Sequence, residues 1–253
     1  MRILLLSDIH SNLEALEACL AAAPPHDATV NLGDIVGYGA SPNEVSQAAR
    51  ELGGTFVRGN HDKVVAGIDS ADSFNPIAGI AATWNREQLT ADNLDWLRTL
   101  PKGPVVAAEF AGVQYVHGAP DDEDHYVVTL EDAVQQLIET SVNVTFFGHT
   151  HIQGAFAFRQ DMVMIEDIIP EYASVGKQET SDLHLEAGAT YLINPGSVGQ
   201  PRDGDWRAGY AVFDSDERVV TFCRAPYNLR LAQQKIFDVG LPAKLATRLA
   251  AGR

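Results

Sequence analysis

The chain has 253 residues, of which 45% are hydrophobic and 21% charged, so it can bury a substantial core and reads as a folded globular protein. Its 18 Lys and Arg against 34 Asp and Glu give a formal charge of −16, a surface that repels nucleic-acid backbones and makes long DNA or RNA a poor partner. Cys19 and Cys223 lack CxxC spacing and read as small buried hydrophobes, not a disulfide framework. The apolar start is too short for a signal segment and no stretch approaches a membrane span, so a cytoplasmic protein is expected.

Taken in order, "RILLLS" is a continuous apolar run and predicts a fully buried strand. "SNLEALEACLAAAPP" follows with Leu13, Leu16 and Leu20 at helical spacing, stopped by Pro24 and Pro25. "ATVNLGD" is a second strand. "SPNEVSQAARELGG" is a helix with Ser41 as N-cap, Pro42 at N1 and Glu44 at N3. "TFVRGN" is a third strand, and the β-α-β-α-β order implies parallel strands with right-handed crossovers. A mainly helical middle includes "ADNLDWLRTL", capped by Thr90 and broken by "PKGP". "PVVAAEF" and "VQYVHG" form a hairpin turning at Ala111-Gly112, and "TLEDAVQQLIET" is a helix before the strand "VTFFG". Short β-like runs then dominate: "GAFAFR", "DMVMIED", "ATYLINPG", "GYAVFDS" and "RVVTFCR", with "DSDE" as a hairpin signal between the last two. "NLRLAQQKI" and "LPAKLATRLAAG" close the chain as helices. No repeat or linker interrupts residues 1–253, so a single α/β domain is expected, an α/β first half joined to a β-rich second half, with two sheets packed as a sandwich flanked by helices.

Residues that can ligate metal fall at the carboxyl ends of predicted strands, the edge where open α/β sheets gather ligands. Asp8 and His10 follow the first strand, Asp34 the second, Asn60 and His61 the third; His117 ends "VQYV", and His149 and His151 follow "VTFF". Carboxylate and neutral imidazole suit Mn, Fe, Zn or Ni. The Asp8-x-His10 and His149-x-His151 spacings put both members of each pair on one side of an extended segment. One carboxylate can bridge two ions about 4 Å apart. Singly, each motif also fits a turn or an exposed pair; the ordered set at five strand ends is what carries weight. Other readings stay open. Asp62 orients a loop or is an ordinary helix N-terminal acid. Asn12 touches phosphate or caps a helix. Arg202 and Asp203 contact substrate or form a turn. Asn194 to Ser197 ends a strand near the metals, and His125 lies in an acidic loop suited to a lid or to simple solvation. His26 reads as an exposed turn residue, and His184 has no assignment.

The series "DIH", "GDIVGYG", "GNHD", "VHG" and "GHTH" resembles the calcineurin-like metallophosphoesterase superfamily, and "NPGSVGQPRDG" is similar to a small bacterial and archaeal branch related to phosphodiesterases and diadenosine tetraphosphatases. The resemblance implies a sandwich of two mixed sheets with a dinuclear metal site at the C-terminal strand edge. It implies two divalent transition-metal ions (Mn, Fe, Zn or Ni), one on Asp8, His10 and His151, the other on Asn60, His117 and His149, with Asp34 bridging. It makes His61 the catalytic histidine, supported by Asp34, and the reaction an in-line attack on a phosphomonoester or phosphodiester by a hydroxide activated between the ions, with His61 donating to the leaving alkoxide. "GDIVGYG" departs from the "GDxxDRG" of protein phosphatases, with Gly37 in place of the second Asp and no Arg after it. The expected substrate is a small phosphoester, a nucleotide such as a diadenosine polyphosphate included, with Arg202 and Asn12 as candidate contacts. Two alternatives are an inactive partner-binding scaffold on the same fold, against which the full ligand set argues, and a nuclease, against which the charge argues.

Overall fold

The structure, a computed structural model, describes residues 1–253 except 109, 161–163 and 175. The first third contains β1 (Arg2–Leu6), α1 (Leu13–Ala22), β2 (Ala28–Asn31), α2 (Pro42–Leu52), β3 (Thr55–Phe56), α3 (Asn60–Ala66), α4 (Pro76–Gln88) and α5 (Ala91–Thr99). Next come β4 (Val105–Val106), β5 (Val113–Tyr115), α6 (Leu130–Glu139), β6 (Val144–Phe146), β7 (Gly154–Arg159) and β8 (Met164–Ile168). The last third holds β9 (Glu179–His184), β10 (Ala189–Asn194), β11 (Ala208–Asp214), β12 (Val219–Ala225), α7 (Leu229–Asp238) and α8 (Ala243–Leu249).

Two mixed six-stranded sheets result, ordered β3-β2-β1-β11-β12-β9 and β4-β5-β6-β10-β7-β8. β1, β2 and β3 pair in parallel, as the β-α-β-α-β reading requires. The halves are not adjoining units, however. β1 pairs antiparallel with β11, and β6 pairs parallel with β10, so late strands complete sheets begun by early ones. The sandwich of two sheets flanked by helices is as expected, and the α/β first half and β-rich second half share both sheets.

The apolar run of β1 now has its reason. Ile3 and Leu5 face the layer between the sheets, with Tyr115, Phe146, Tyr191 and Phe213. Leu4 and Leu6 face the other way, into a second core with Leu16 of α1, Val45 of α2 and Leu245 of α8. Both faces of the strand are covered, so it cannot alternate polar with apolar. A third cluster, with Leu137 and Phe147, seats α6 on the far face of the second sheet. Cys19 and Cys223 are free and buried.

Local signals explain most boundaries. Asn12, Asn75, Thr90, Thr129 and Asn228 each accept a main-chain N–H at a helix start. Ser41 occupies the N-cap position of α2 but makes no capping bond; its hydroxyl receives Lys235 Nζ at 3.4 Å. Part of the run "DMVMIED", residues 161–163, lies outside the described residues, and the rest forms β8. Sequence reasoning missed β9, an edge strand carrying His184, because its burial alternates only between half-buried and exposed.

Candidate metal centre

The turns after β1, β2, β3, β5 and β6 meet at one edge of the sandwich. There Asp8, His10, Asp34 and His151 bring one ligand atom each within 4.8 Å of one another, and Asp34, His117 and His149 do the same beside them. All six are at least 98% buried. Asp34 joins the two groups: its Oδ2 lies 3.5 Å from His10 Nε2 and 3.4 Å from His117 Nε2. Asn60 Oδ1 stands 3.3 Å from His117 Nε2, in the second group.

These turns are not extended. Asp8, His10, Asp34, His149 and His151 all have φ between 49° and 67°, a left-handed conformation that non-glycine residues hold only when their surroundings enforce it. The enforcing contacts are visible: Asp8 N donates to Gly33 O, and His10 N to Asp34 O, each at 3.0 Å. The extended-segment argument is thereby corrected. Asp8 and His10 do meet in one group, but His149 and His151 point into different ones. Two glycines permit the close approach. A Cβ on Gly59 would stand 2.0 Å from Asp34 Oδ1, and one on Gly148 would stand 2.0 Å from Ser7 Oγ and 2.9 Å from Asp8 Oδ2.

Proton placement shows what the donor set wants. His10 Nδ1 faces Val36 O at 3.2 Å, His151 Nδ1 faces Gln200 O at 2.6 Å, His117 Nδ1 faces Leu32 O at 2.7 Å and His149 Nε2 faces Asp124 O at 3.0 Å. A carbonyl can only accept, so each of these nitrogens carries the proton and the other ring nitrogen is a lone pair when the ring is neutral. Those remaining nitrogens face each other in pairs, His10 Nε2 with His151 Nε2 at 3.0 Å and His117 Nε2 with His149 Nδ1 at 3.1 Å. Opposed lone pairs repel unless positive charge lies between them. Asp8 Oδ1 is buried with no hydrogen-bond partner. Burial opposes charge on His117, yet Asp34 and Asp8 push its imidazole up to about 10, so a proton supplies the positive charge between His117 and His149 where a divalent ion would otherwise stand. Burial would also raise Asp34, but His117 and His61 hold its carboxyl well below the usual range. Orphaned carboxylate oxygen, opposed imidazoles and carbonyls that orient them are the chemistry of a divalent-metal site, and the residues fit such ions.

His61 sits beside this cluster. Its main-chain N–H donates to Asp34 Oδ1 at 2.8 Å, and its ring packs 4.8 Å from His10, 4.4 Å from Tyr38 and 4.5 Å from Phe74. Its Nδ1 is buried without a partner. A Cβ at Gly37, where φ is +101°, would lie 2.5 Å from that nitrogen, so no side chain fits where protein phosphatases carry their second Asp. Burial first, and the Arg202 charge after it, pull His61 down to about 4.

The ambiguous residues are now located. Asp62, fully buried at the third position of α3, accepts N–H groups from Asp34, Ile35, Val36 and Gly59 at 2.8–3.2 Å. It does both things proposed for it, ordering the Asp34 loop and capping the helix. Asn12 caps α1 through Oδ1 and donates Nδ2 to Gly199 O at 2.9 Å, so both ends of its amide are engaged. Arg202 Nη2 lies 3.5 Å from Tyr38 OH, whereas Asp203 accepts from Gln153 N and Arg224. Asn194 donates to Gly148 O and Thr150 Oγ1, bracing the turn that carries both late histidines. His125 is exposed, but its neighbours are not idle. Asp124 O orients His149, and Tyr126 stacks on the same ring at 3.7 Å. Arg58 to Glu123 and Lys63 to Asp124 ion pairs tie this loop over the centre. Tyr126 and Asp124 had no recognisable signal in the sequence.

A cavity of about 280 Å³ opens onto the cluster, lined by Tyr38, Asn60, His61, Lys63, Phe74 and Tyr126. A larger one, about 490 Å³, lies across the 149–153 segment; it contains no comparable donor cluster, and its Asp203, Asp205, Arg207 and Arg224 are paired with one another. No helix among the described residues is long and apolar enough to cross a membrane.

The architecture and this cluster define a metallophosphoesterase: a calcineurin-like phosphoesterase superfamily domain matches residues 1–218, and the chain belongs to that family. It is thus a hydrolase of phosphoester bonds. Among individual proteins, it is 36% identical over 255 residues to an uncharacterized protein of Methanocaldococcus jannaschii, covering 99% of this chain and 98% of that one. The crystal structure of a metallophosphoesterase from Sphaerobacter thermophilus aligns with a TM-score of 0.84 at 40% identity, covering 100% and 99% of the two chains. A hypothetical protein from Pyrococcus horikoshii OT3 shares the fold at a TM-score of 0.78 and 18% identity, covering 100% and 98%.

Proposed function

We propose that the chain hydrolyses small phosphomonoesters or phosphodiesters with two divalent transition-metal ions, one held by Asp8, His10, Asp34 and His151, the other by Asp34, Asn60, His117 and His149. The observation that carries this is the double set of opposed imidazole nitrogens with Asp34 Oδ2 between them. When bound, the ions supply Lewis acidity, lowering the pKa of water and offsetting charge that builds on the phosphoryl oxygens. The chain's own residues do the rest. The carbonyls of Val36, Gln200, Leu32 and Asp124 lock each imidazole in the tautomer that presents a lone pair. Asp62 fixes the Asp34 loop. His61, with Nδ1 buried, has Nε2 left for the cavity, where it donates a proton to the departing alkoxide. It is held neutral near pH 7 by burial and Arg202; a phosphoryl dianion, opposite in sign, draws it back up. Arg202, whose charge acts on His61, would meet such an anion.

The cavity volume of about 280 Å³ suits a small ester or one end of a nucleotide rather than a protein loop. The test is hydrolysis of p-nitrophenyl phosphate and its bis-ester by protein supplied with Mn, Ni, Zn or Fe. Turnover of either with a metal requirement supports the reading; failure on both, and on a nucleotide panel, with every metal defeats it.

A further inference from the structure

The proton donor marks the side on which the leaving group departs, and the surface on that side is apolar. The His61 ring packs on Phe74 at 4.5 Å, and Phe74 walls the cavity of about 280 Å³ that opens onto the metal donors. Phe74 lies in the turn before α4, where its main-chain N–H donates to Ala71 O at 3.0 Å. The same residue, together with Asn75, also lines an open groove of about 520 Å³ along α4. The two hollows therefore meet at Phe74. Pro76, Ile80 and Trp84 give the groove apolar walls, and Ile80 is 54% exposed there. Large apolar side chains exposed in a hollow that continues an active-site cavity mark where the apolar part of a ligand lies.

Charge along this path opposes a second anion. Away from the metal donors, the charged residues that line the two hollows are Asp69, Asp124 and Glu87 against Lys63 alone. Lys63 is already engaged: its Nζ lies 3.5 Å from Asp69 Oδ2 and 3.6 Å from Glu123 Oε1, and it pairs with Asp124. A leaving group that carried another phosphate would meet carboxylates with no cation left over to offset them. An uncharged apolar body meets the rings of Tyr126 and Phe74 in the inner cavity and that of Trp84 in the groove. Aromatic faces hold such a body by burial and by ring packing together.

We propose that Phe74 determines specificity for the leaving group, and that the preferred substrates are phosphoesters of bulky, uncharged aromatic or aliphatic alcohols whose organic part runs past Phe74 into the α4 groove. This inference rests on the phosphoesterase reading above and adds the chemistry of the leaving group and the direction in which it extends. The reaction itself is unchanged: water supplies the oxygen that bonds to phosphorus, the bond from phosphorus to the ester oxygen breaks, and the alcohol departs with a proton from His61.

The test compares the parent, Phe74→Ala, Phe74→Trp and Ile80→Ser, all metal-loaded, on three esters of primary alcohols: ethyl phosphate, naphthylethyl phosphate and propanediol bisphosphate. The leaving groups are alike in chemistry, and ratios of kcat/KM cancel any general loss from disturbing His61. The parent is expected to prefer the naphthylethyl ester over the ethyl ester by about tenfold or more, the worth of an aromatic contact with its buried area, and to show no preference for the bisphosphate. Phe74→Ala should lower the naphthylethyl-to-ethyl ratio about tenfold, Phe74→Trp should hold it, and Ile80→Ser should lower it about threefold. A parent ratio near one, a preference for the bisphosphate, or a ratio that neither Phe74→Ala nor Ile80→Ser lowers overturns the proposal. Calorimetric binding of naphthylmethylphosphonate against methylphosphonate reads the same preference without turnover. If the parent hydrolyses none of the esters, the phosphoesterase reading fails, and the binding ratio still decides the groove: selective weakening of the naphthyl compound in Phe74→Ala supports it, and equal or undetectable binding of the two refutes it. Thermal melting of the variants checks that α4 remains docked.

Discussion

Asp62 touches no proposed metal donor through its own side chain, yet the site should depend on it. Each carboxylate oxygen accepts two buried main-chain N–H groups, Oδ1 from Ile35 and Val36 and Oδ2 from Asp34 and Gly59. Asp62→Asn is nearly isosteric but turns one oxygen into an NH2 group that faces two donors. Two buried N–H groups then lose their acceptor, at about 1–3 kcal/mol each, for a total of about 2–6 kcal/mol. Against an ordinary net stability of about 5–15 kcal/mol, that is a large fraction. The loop that loosens carries Asp34 in its left-handed conformation, so metal retention should fall together with stability. Urea unfolding followed by circular dichroism reads the first, as a lower midpoint at unchanged slope. Elemental analysis after dialysis reads the second. A stability loss below about 1 kcal/mol with full metal content would refute the reasoning, because the four bonds would then not be holding the loop.

Other outcomes follow from the same geometry. His61→Ala should keep the parent's metal content but slow hydrolysis of alkyl phosphomonoesters by about 10²–10⁴, with a smaller effect on p-nitrophenyl phosphate, whose leaving group needs little protonation; equal effects on both esters would remove His61 from that role. Gly148→Ala should displace Asp8 and strip metal, since its Cβ would lie 2.0 Å from Ser7 Oγ, whereas Gly79→Ala, with nothing nearer than 4.0 Å, should leave metal content intact. Asp205 gives a pH prediction. Burial pushes its carboxyl up, but hydrogen bonds from Arg207, its Nε at 3.0 Å, prevail and hold it below the ordinary value. A depressed carboxyl stabilises above its unfolded pKa and loses that contribution as pH falls through the folded one. The stability gap between parent and Asp205→Asn, about 1 kcal/mol after solvent screening of a half-buried carboxylate, should be full at pH 7 and narrow below about pH 4; a gap that widens on acidification contradicts the assignment.

The sequence anticipated the two-sheet sandwich and placed the candidate metal donors at strand ends, but not how the strands interleave. Asp8, Asp34, Asn60, His117, His149 and His151 each stand just past a strand, and strand ends are marked locally by apolar runs that stop at Gly or a polar residue. The sandwich could be anticipated, but not the interleaving of β1 with β11, because pairing across 200 residues leaves no local trace. β9 escaped because its alternation is weak. Left-handed φ at Asp8 or His149 was invisible, since non-glycine residues do not advertise it and tertiary hydrogen bonds impose it. Phe74 and Tyr126 could not be found either, as one sits in an ordinary turn and the other in an acidic loop. Only folding brings them to His61 and His149.

The central claim is that two ions sit side by side, bridged by Asp34. Anomalous diffraction at the manganese edge from crystals grown with Mn tests it directly. The account predicts two peaks, one enclosed by Asp8, His10, Asp34 and His151 and the other by Asp34, Asn60, His117 and His149. A single peak, or peaks that leave Asp34 out, would contradict it.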